Sequence, residues 1–248
     1  MKKVFAFIFS MMLLNLYVDA QTKEFDPAAT EIWNPVPKII TAGKSAADAP
    51  SDAIVLYNSK KDTANWTGIS SKLFGWKAEE ALFTVTPATG NIHTKKFFGD
   101  CQFHLEWKEP VVVKGEGQGR GNSGIFFMGR YELQVLDSYN NVTYSNGQTG
   151  SIYKQHIPLV NVCRAPGEWQ TYDVIFTAPR FSNDSMLKSP ARITVFQNGV
   201  LVQNNIEIWG PTTYRGIPKY VKHADKEPLE LQDHGDLVSY RNIWIREL

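Results

Sequence analysis

Residues 119–137 read GRGNSGIFFMGRYELQVLD, and this stretch separates two possible fold classes. Gly119, Gly121 and Gly124 match the G-x-G-x-x-G spacing of a dinucleotide-binding turn, which requires a helix to open directly after the glycines. The residues that follow are instead aromatic, β-branched and alternating, which is typical of β-strands. The stretch therefore predicts a glycine-rich loop that leads into strands, and it argues against a bound NAD or flavin.

Strand signals recur along the rest of the chain, and no amphipathic run is long enough for a major helix. Asn198-Gly199 between two alternating apolar runs predicts a hairpin with a type I′ turn. The predicted fold is all-β, an antiparallel sandwich of two sheets. The strand-like segments are AIVLYN, LFTVT, CQFHLEWK, GIFFM, YELQVLD, WQTYDVIF, RITVFQNGVLVQN, LELQDHG and RNIWIREL.

The 248 residues divide into three parts. Residues 1–20 have the basic start and short apolar stretch of a bacterial export signal, with cleavage expected after Ala20. Residues 21–52 are rich in Pro, Ala and Asp and predict an extended arm, so the compact domain is expected over 53–248. The export signal predicts a periplasmic or secreted protein, and no later segment is apolar enough to cross a bilayer.

The charge balance limits the possible partners. The formal net charge is +1 and no basic or acidic block interrupts the sequence. This excludes nucleic acid and anionic membranes as expected partners and favours a neutral, small ligand. The two cysteines, Cys101 and Cys163, could form a disulfide in an exported protein or remain free as small buried side chains.

Alternation along the strands assigns polar side chains to shared faces. Glu106 shares a face with His104, Glu132 shares one with Gln134, and Gln232 shares one with His234. Glu, Gln and His beside aromatic residues suit a groove for a hydroxyl-rich ligand of the size of a sugar. An ordinary solvated face explains the alternation equally well.

The order and spacing of several motifs resemble a bacterial exported family, the 3-keto-disaccharide hydrolase domain. The resemblance covers about residues 53–248 and implies a concanavalin A-like jelly roll related to glucanases and lectins. Each motif alone is weak, but the combination is specific. The motifs are LYNSKKDTANW, IHTKKFFGDCQFHLEWK, GNSGIFFMGRYELQVLDSY, GSIY, GEWQTYDVIF, NGVLV, LQDHG and RNIWIREL.

The resemblance implies cleavage of a sugar that is already oxidised to a ketone at C3. The ketone acidifies the proton at C2, so a base can remove it and expel the C1 substituent, after which water adds to the unsaturated sugar. Such a site needs a general base, donors to the enolate and an acid for the leaving oxygen. It needs no oxidising cofactor of its own, since a separate sugar 3-dehydrogenase would supply the substrate.

Glu132 is the expected base, because partial shielding by neighbouring aromatic side chains would raise its pKa toward neutrality. The alternative is a structural ion pair with Arg130 or Arg241. His234 is the expected acid or proton shuttle, with a structural role as the alternative. Asp137 is a further candidate, because Glu132, Gln134 and Asp137 resemble the E-x-D-x-x-E strand of jelly-roll glucanases, in which a bulge turns the last residue inward.

The remaining candidates are expected to contact the substrate. Amide and hydroxyl groups would orient the sugar, and cationic groups would stabilise the enolate. No metal is expected, because no metal-binding spacing is present, although the hard ligands leave a divalent ion possible. These substrate-binding candidates are Gln134, Gln232, Asn122, Ser123, Glu106, Arg130 and Lys154.

Two other functions compete with this hypothesis. A conventional retaining glycosidase would need two carboxylates about 5–5.5 Å apart at the scissile bond. A non-catalytic, lectin-like carbohydrate-binding domain would need aromatic and hydroxyl groups but no base. Gln134 and Asp137, in place of a full acidic triplet, argue against the retaining glycosidase. For the lectin-like domain, Glu132→Gln should leave ligand binding nearly intact.

Overall fold

The computed structural model describes residues 27–69 and 73–248. The chain forms two compact units, residues 1–39 and residues 40–248. The described part of the first unit contains a 3₁₀ helix, Pro27–Thr30. The expected signal peptide, residues 1–20, lies outside the described residues. No helix among the described residues is long and apolar enough to cross a bilayer.

The second unit is built from short β-strands and three 3₁₀ helices within the described ranges. The 3₁₀ helices span Lys60–Asn65, Gly117–Gly119 and Ser145–Gly147. The strands are β1 (Ile54–Tyr57), β2 (Trp66–Gly68), β3 (Lys77–Ala78), β4 (Phe83–Thr84), β5 (Ile92–Phe98), β6 (Cys101–Lys108), β7 (Ser123–Phe127), β8 (Tyr131–Val135), β9 (Gln170–Thr177), β10 (Arg180–Phe181), β11 (Leu187–Ser189), β12 (Arg192–Gln197), β13 (Val200–Glu207), β14 (Glu227–Leu231) and β15 (Ser239–Glu247).

The strands form two main antiparallel sheets. The large sheet has the order β13-β12-β9-β6-β15-β4-β3, with β1 also paired to β15. The small sheet has the order β2-β5-β14-β7-β8, and β10 and β11 form a separate hairpin. Neighbours in space are therefore often distant in sequence, as the jelly roll requires. The predicted all-β, concanavalin A-like jelly roll with two antiparallel sheets is confirmed.

The core lies between the two main sheets and is rich in aromatic rings. Phe103, Leu105 and Trp107 of β6 are fully buried, as the alternation of this strand predicts. Phe103 meets Phe127 of the small sheet edge to face at 5.5 Å between ring centroids. Such pairs add specific geometry to the burial of large apolar surfaces. The small sheet is thereby held with its second face turned outward.

The β12–β13 hairpin has the turn that the sequence predicts. Asn198 and Gly199 join the two strands, with φ angles of 52° and 79°. A type I′ turn requires positive φ at both central residues, which Asn and Gly adopt most readily.

The two cysteines do not form a bridge: Cys101 is buried, Cys163 is half-buried, and both are free.

The outer face of the large sheet is covered by part of the expected arm. The backbone oxygen of Ala47 accepts hydrogen bonds of 2.9 Å from Asn242 Nδ2 and Trp244 Nε1. The Trp244 ring stacks on His104, which is almost completely buried. Residues 40–52 therefore belong to the compact unit and close this face around His104 and Glu106.

Candidate functional site

A polar cavity of about 290 Å³ opens on the outer face of the small sheet. It combines side chains of β7, β8 and the segment after β14 with side chains of two loops. Five of the ten candidate site residues line it. The lining residues are Asn122, Phe126, Glu132, Gln134, Tyr153, Thr212, Tyr214, Gln232 and His234.

Strand register explains why these side chains meet. Glu132 of β8 pairs with Phe126 of β7, and Phe126 pairs with Glu230 of β14. Directly paired residues in an antiparallel sheet point to the same face. Because side chains alternate along each strand, Gln134 and Gln232 share that face with Glu132. The expected grouping of Glu132, Gln134, Gln232 and His234 at one cavity is what the structure shows.

Glu132 is a buried acid without a cation partner among the described residues. Its side chain is 4 % exposed, and burial, with the nearby Glu230, raises its pKa to about 8. The alternative ion pairs do not form: Arg130 binds Glu227 and Arg241 binds Glu106, each at 2.6 Å. A carboxyl group with a pKa near neutrality can take up and release a proton at working pH.

Gly124 makes room for this acid. A Cβ atom at position 124 would lie 2.6 Å from Glu132 Oε1 and 3.0 Å from Phe126 Cε2. Real Cβ atoms do not approach other atoms at the first of these distances, so only glycine leaves the carboxyl in place. The third glycine of the G-x-G-x-x-G stretch therefore leaves space for the acid on the adjacent strand.

Two glutamines at the cavity carry unsatisfied acceptors. Gln134 Oε1 and Gln232 Oε1 are buried and have no hydrogen-bond partner among the described residues. Gln134 Nε2 lies 3.3 Å from Asn122 Oδ1, which fixes the orientation of this amide. Buried polar atoms are almost always hydrogen-bonded in folded proteins. These oxygens are therefore suited to accept hydrogen bonds from the hydroxyl groups of a ligand.

His234 and Lys154 lie at the edges of the cavity. His234 follows β14, lines the cavity and is exposed. Lys154 does not line the cavity, but its ammonium group lies 4.1 Å from the ring centroid of Tyr214 and 5.7 Å from that of Tyr153. It also donates a 2.7 Å hydrogen bond to the backbone oxygen of Tyr214. Lys154 thus holds two loops at the rim.

Four lining residues were not among the sequence candidates: Phe126, Tyr153, Thr212 and Tyr214. The backbone of Tyr153 donates to the backbone oxygen of Glu132, and the backbone N–H of Glu132 donates to Thr212 Oγ1. Burial and the hydrogen bond with the Tyr144 hydroxyl, at 2.7 Å, raise the pKa of Tyr153, so its hydroxyl stays protonated. For the lining residues on loops, the only sequence signal was the motif GSIY, which contains Tyr153, because loops carry no periodicity.

A second carboxylate lies two strands from Glu132. Glu230 is half-buried, its pKa is raised by burial, and its Oε1 accepts a 2.5 Å hydrogen bond from Asn91 Nδ2. Alternation in LELQDHG places it on the face of Gln232 and His234. The alternation in the sequence therefore pointed to Glu230, which was not among the candidate residues.

Four candidate residues lie away from the cavity, and the first correction concerns Asp137. The register of β8 runs without a bulge from Tyr131 to Val135, where the strand ends, and Asp137 does not line the cavity that Glu132 lines. Asp137 instead lies beyond the strand, 2 % exposed, and its Oδ2 accepts a 2.6 Å hydrogen bond from Arg120 Nε. The glucanase-like placement of Asp137 is therefore wrong.

Ser123, Glu106 and Arg130 are placed elsewhere by their own partners. Ser123 points between the sheets, donating to the backbone oxygen of Gln232 and accepting from Tyr240, both at 2.6 Å. Glu106 lies on the covered face of the large sheet, bound to Arg241. Arg130 is held by Glu227. None of the three lines the cavity, since each satisfies a buried or half-buried group of the scaffold.

The cavity holds no evident set of metal ligands. Within residues 27–69 and 73–248, no three His, Cys, Asp or Glu side chains are grouped so that they could hold a metal ion. The polar groups that line the cavity are one unpaired acid, an imidazole, two tyrosine hydroxyls, a threonine hydroxyl and three amides. These groups suit proton transfer on a neutral, hydroxyl-rich ligand.

Comparisons with known proteins agree with this geometry. Residues 52–246 match a family described as the 3-keto-alpha-glucoside-1,2-lyase-like domain. A solved structure from Parabacteroides distasonis, assigned provisionally as a glycosyl hydrolase, shares 47 % identity at a TM-score of 0.85, covering 90 % of this chain and 97 % of that one. A comparison with curated proteins finds no match.

A second provisional glycosyl hydrolase of Parabacteroides distasonis shows the same fold at greater distance. It shares 19 % identity at a TM-score of 0.57, covering 85 % of this chain and 100 % of that one. At this identity the likeness extends to the fold alone. Together with the first structure and the matched family, the polar cavity supports a carbohydrate-active function.

Proposed function

Because this chain belongs to the 3-keto-alpha-glucoside-1,2-lyase-like family, we propose that it is an enzyme that cleaves 3-keto-glycosides by elimination and hydration. The observation that carries the proposal is Glu132, a buried acid at a cavity lined by two amides; within residues 27–69 and 73–248 no cation lies beside this acid and the amide oxygens have no hydrogen-bond partner. A lectin-like site gains nothing from an unpaired buried acid, which costs folding free energy. A base for carbon acids needs one with a raised pKa.

The first step removes the C2 proton. Ionised Glu132 accepts this proton, and the electron pair of the C–H bond moves into the C2–C3 bond and onto the C3 oxygen. The hydroxyl of Tyr153, which stays protonated, donates to this developing enolate oxygen. A preorganised donor in a water-poor cavity stabilises such a charge more than water does.

The second step breaks the bond between C1 and the leaving oxygen. The enolate electrons form the C1–C2 double bond, the leaving group departs with its bonding pair, and His234 at the open rim supplies a proton to it. Glu132 then exchanges the abstracted proton with solvent, water adds its oxygen to C1 and a solvent proton is delivered to C2, so the net reaction is hydrolysis. Gln134, Gln232 and Asn122 hold the sugar hydroxyls during both steps.

The spacing of the acids argues against a retaining glycosidase. Glu132 and Glu230 are separated by β7, and two strand spacings place their backbones about 9–10 Å apart. A retaining mechanism needs two carboxyl groups at about 5–5.5 Å. Phe126 also stands between the two acids. One base with one separate acid is the better account of this cavity.

The test follows release of the leaving group from two matched substrates. The purified protein is incubated with a 3-keto-α-glucoside and with its unoxidised parent. We expect turnover of the keto sugar alone. Turnover of the parent would support a conventional glycosidase, and turnover of neither substrate, with retained sugar binding, would support a lectin-like domain.

A further inference from the structure

A second cavity, of about 450 Å³, lies on the other side of the glycine-rich loop. None of its residues takes part in the steps proposed above. It is lined by the segment after β6, by residues of the loop before β7, and by the turn after β14. The lining residues are Glu109, Pro110, Val111, Val112, Val113, Lys114, Arg120, Gly121, Asp137, Gly235, Asp236 and Leu237.

The two cavities share their walls at two points. Gly121 lines the second cavity and Asn122 lines the sugar cavity, while Gly235 and His234 are divided in the same way. Consecutive residues lie about 3.8 Å apart at their Cα atoms. A Cβ at Gly235 would meet no atom within 4 Å, so nothing overhangs the wall there. At these two points the wall between the two cavities is one residue wide.

One side of the second cavity is apolar and exposed. Val111, Val112 and Leu237 are 74 %, 69 % and 52 % exposed, with Pro110 and Val113 beside them. Grouped, exposed aliphatic side chains rimmed by polar residues are a mark of binding sites, because leaving them in water costs free energy. A ligand with an apolar face would fit this side of the cavity.

The opposite side carries two buried acids. Glu109 and Asp137 are each 2 % exposed, and a Cβ at Gly121 would lie 2.8 Å from Glu109 Cγ and 3.0 Å from Asp137 Cβ. Glu109 accepts hydrogen bonds from Trp107 Nε1 and Gln170 Nε2, which leaves part of its acceptor capacity open. Burial raises the pKa of Glu109 to about 7. Such a carboxyl group can accept from, or donate to, a ligand hydroxyl.

We propose that the second cavity binds the leaving group of the substrate, and that this aglycone is an aryl or arylalkyl alcohol carrying a further hydroxyl. The ring packs on Val111, Val112 and Leu237, and its hydroxyl points to Glu109. The inference rests on the proposed function, since it assigns the leaving side of the same site. It distinguishes an aromatic glycoside from a simple alkyl glycoside as the substrate class.

The kinetic test uses two aglycones of similar acidity, so that leaving-group chemistry is matched. We expect kcat/KM for benzyl 3-keto-α-glucoside to exceed that for the methyl 3-keto-α-glucoside by about tenfold or more, from burial of the ring. Adding a para-hydroxyl to the benzyl group should raise kcat/KM further. Equal kcat/KM values for benzyl and methyl substrates would overturn the proposal.

Variants locate the preference. The double variant V112N/L237N should reduce the benzyl-to-methyl ratio to within about twofold of one, because it removes the apolar surface. Val221→Asn is the matched control, since Val221 is a 69 % exposed valine that lines neither cavity. If V112N/L237N keeps the wild-type benzyl-to-methyl ratio, the preference for benzyl arises outside this cavity and the proposal is contradicted.

A binding measurement separates this inference from the proposed function. Titration of 4-hydroxybenzyl alcohol by calorimetry should show saturable binding to the wild type and to V221N, and loss of binding to V112N/L237N. If this pattern holds while no keto sugar is cleaved, the aglycone site stands and the proposed reaction fails. If keto sugars are cleaved but the alcohol does not bind and no benzyl preference is seen, the aglycone site is wrong.

Discussion

Glu132 on β8 holds its carboxyl group over Gly124 of the neighbouring strand, so closely that a Cβ at position 124 would lie 2.6 Å from Oε1. The position of the acid thus depends on the absence of a side chain on β7. Gly124 and Glu132 are not paired directly, since Gly124 pairs with Gln134 and Glu132 pairs with Phe126. The contact therefore runs diagonally between the two strands. The glycine-rich loop and the acid therefore form one functional unit.

Replacing Gly124 by alanine should displace Glu132. We expect kcat/KM for a 3-keto-glucoside to fall about 10- to 100-fold, because small misplacements of a catalytic group have effects of this size. Gly119→Ala is the matched control, since a Cβ there meets no atom within 4 Å. Equal activity of the two variants would show that the contact has no catalytic consequence.

The pH dependence of catalysis should follow Glu132. The base must be ionised, and its pKa is about 8 in the free protein. We therefore expect kcat/KM to rise about tenfold per pH unit as pH increases toward 8 and Glu132 ionises. A profile that is already flat from pH 5 upward would contradict the assignment of Glu132 as the base.

The same pKa predicts how stability depends on pH. Because the folded-state pKa is raised above the unfolded value of about 4.5, the folded protein loses stability as pH rises from about 4.5 to about 8. Glu132→Gln removes this loss and should be more stable than the wild type above pH 8, by about 1–3 kcal/mol. Denaturant melts at pH 5 and pH 9 measure the difference, and a gain that is the same at both pH values would exclude burial of the charge as its cause.

Tyr153 is expected to stabilise the enolate. Tyr153→Phe should lower kcat about 10²- to 10³-fold, as removal of one such donor does in other enzymes. Steady-state kinetics should show KM changed by less than about threefold, because the hydroxyl acts after the substrate is bound. Tyr139→Phe is the control, since Tyr139 is partly exposed and lines neither cavity. A raised KM with unchanged kcat would instead assign Tyr153 to substrate binding.

Glu106 should matter for stability and not for catalysis. Although burial opposes it, the nearby His104 imidazole and hydrogen bonds from Asn242 and Arg241 lower the pKa of Glu106 to about 2. The carboxylate therefore stabilises the fold above about pH 4.5, and this contribution is lost as pH falls toward 2. Glu106→Gln should cost about 1–3 kcal/mol at pH 7 by denaturant melts, with kcat/KM retained. Loss of activity in a stably folded variant would contradict the position of Glu106 on the covered face.

The fold was predictable because its determinants are local. Alternation in β6 identifies the buried Phe103, Leu105 and Trp107, and Asn198-Gly199 identifies its hairpin. The same period of two places Glu132 with Gln134, and Gln232 with His234. Each of these relations lies within one strand or one turn.

The parts that the sequence did not reveal depend on long-range packing. Alternation gives Glu106 the same outward position on its strand as Glu132 has on β8, but residues 40–52 cover one face and leave the other open. Asp137 fails for a related reason, since the strand ends at Val135 and Arg120 draws the acid away. Tyr153 and Tyr214 lie on loops, which have no period that could assign them to a face.

Deuterium incorporation at C2 measures whether the sugar passes through the unsaturated intermediate. The reaction of a 3-keto-α-glucoside is run in D₂O to partial conversion, and the released 3-keto sugar is examined by NMR, with uncatalysed exchange subtracted. Elimination and hydration with Glu132 as the base predict a solvent deuteron at C2 of every product molecule, and no product above background with Glu132→Gln. Product that retains its original C2 proton would contradict an account in which Glu132 exchanges the abstracted proton with solvent before hydration.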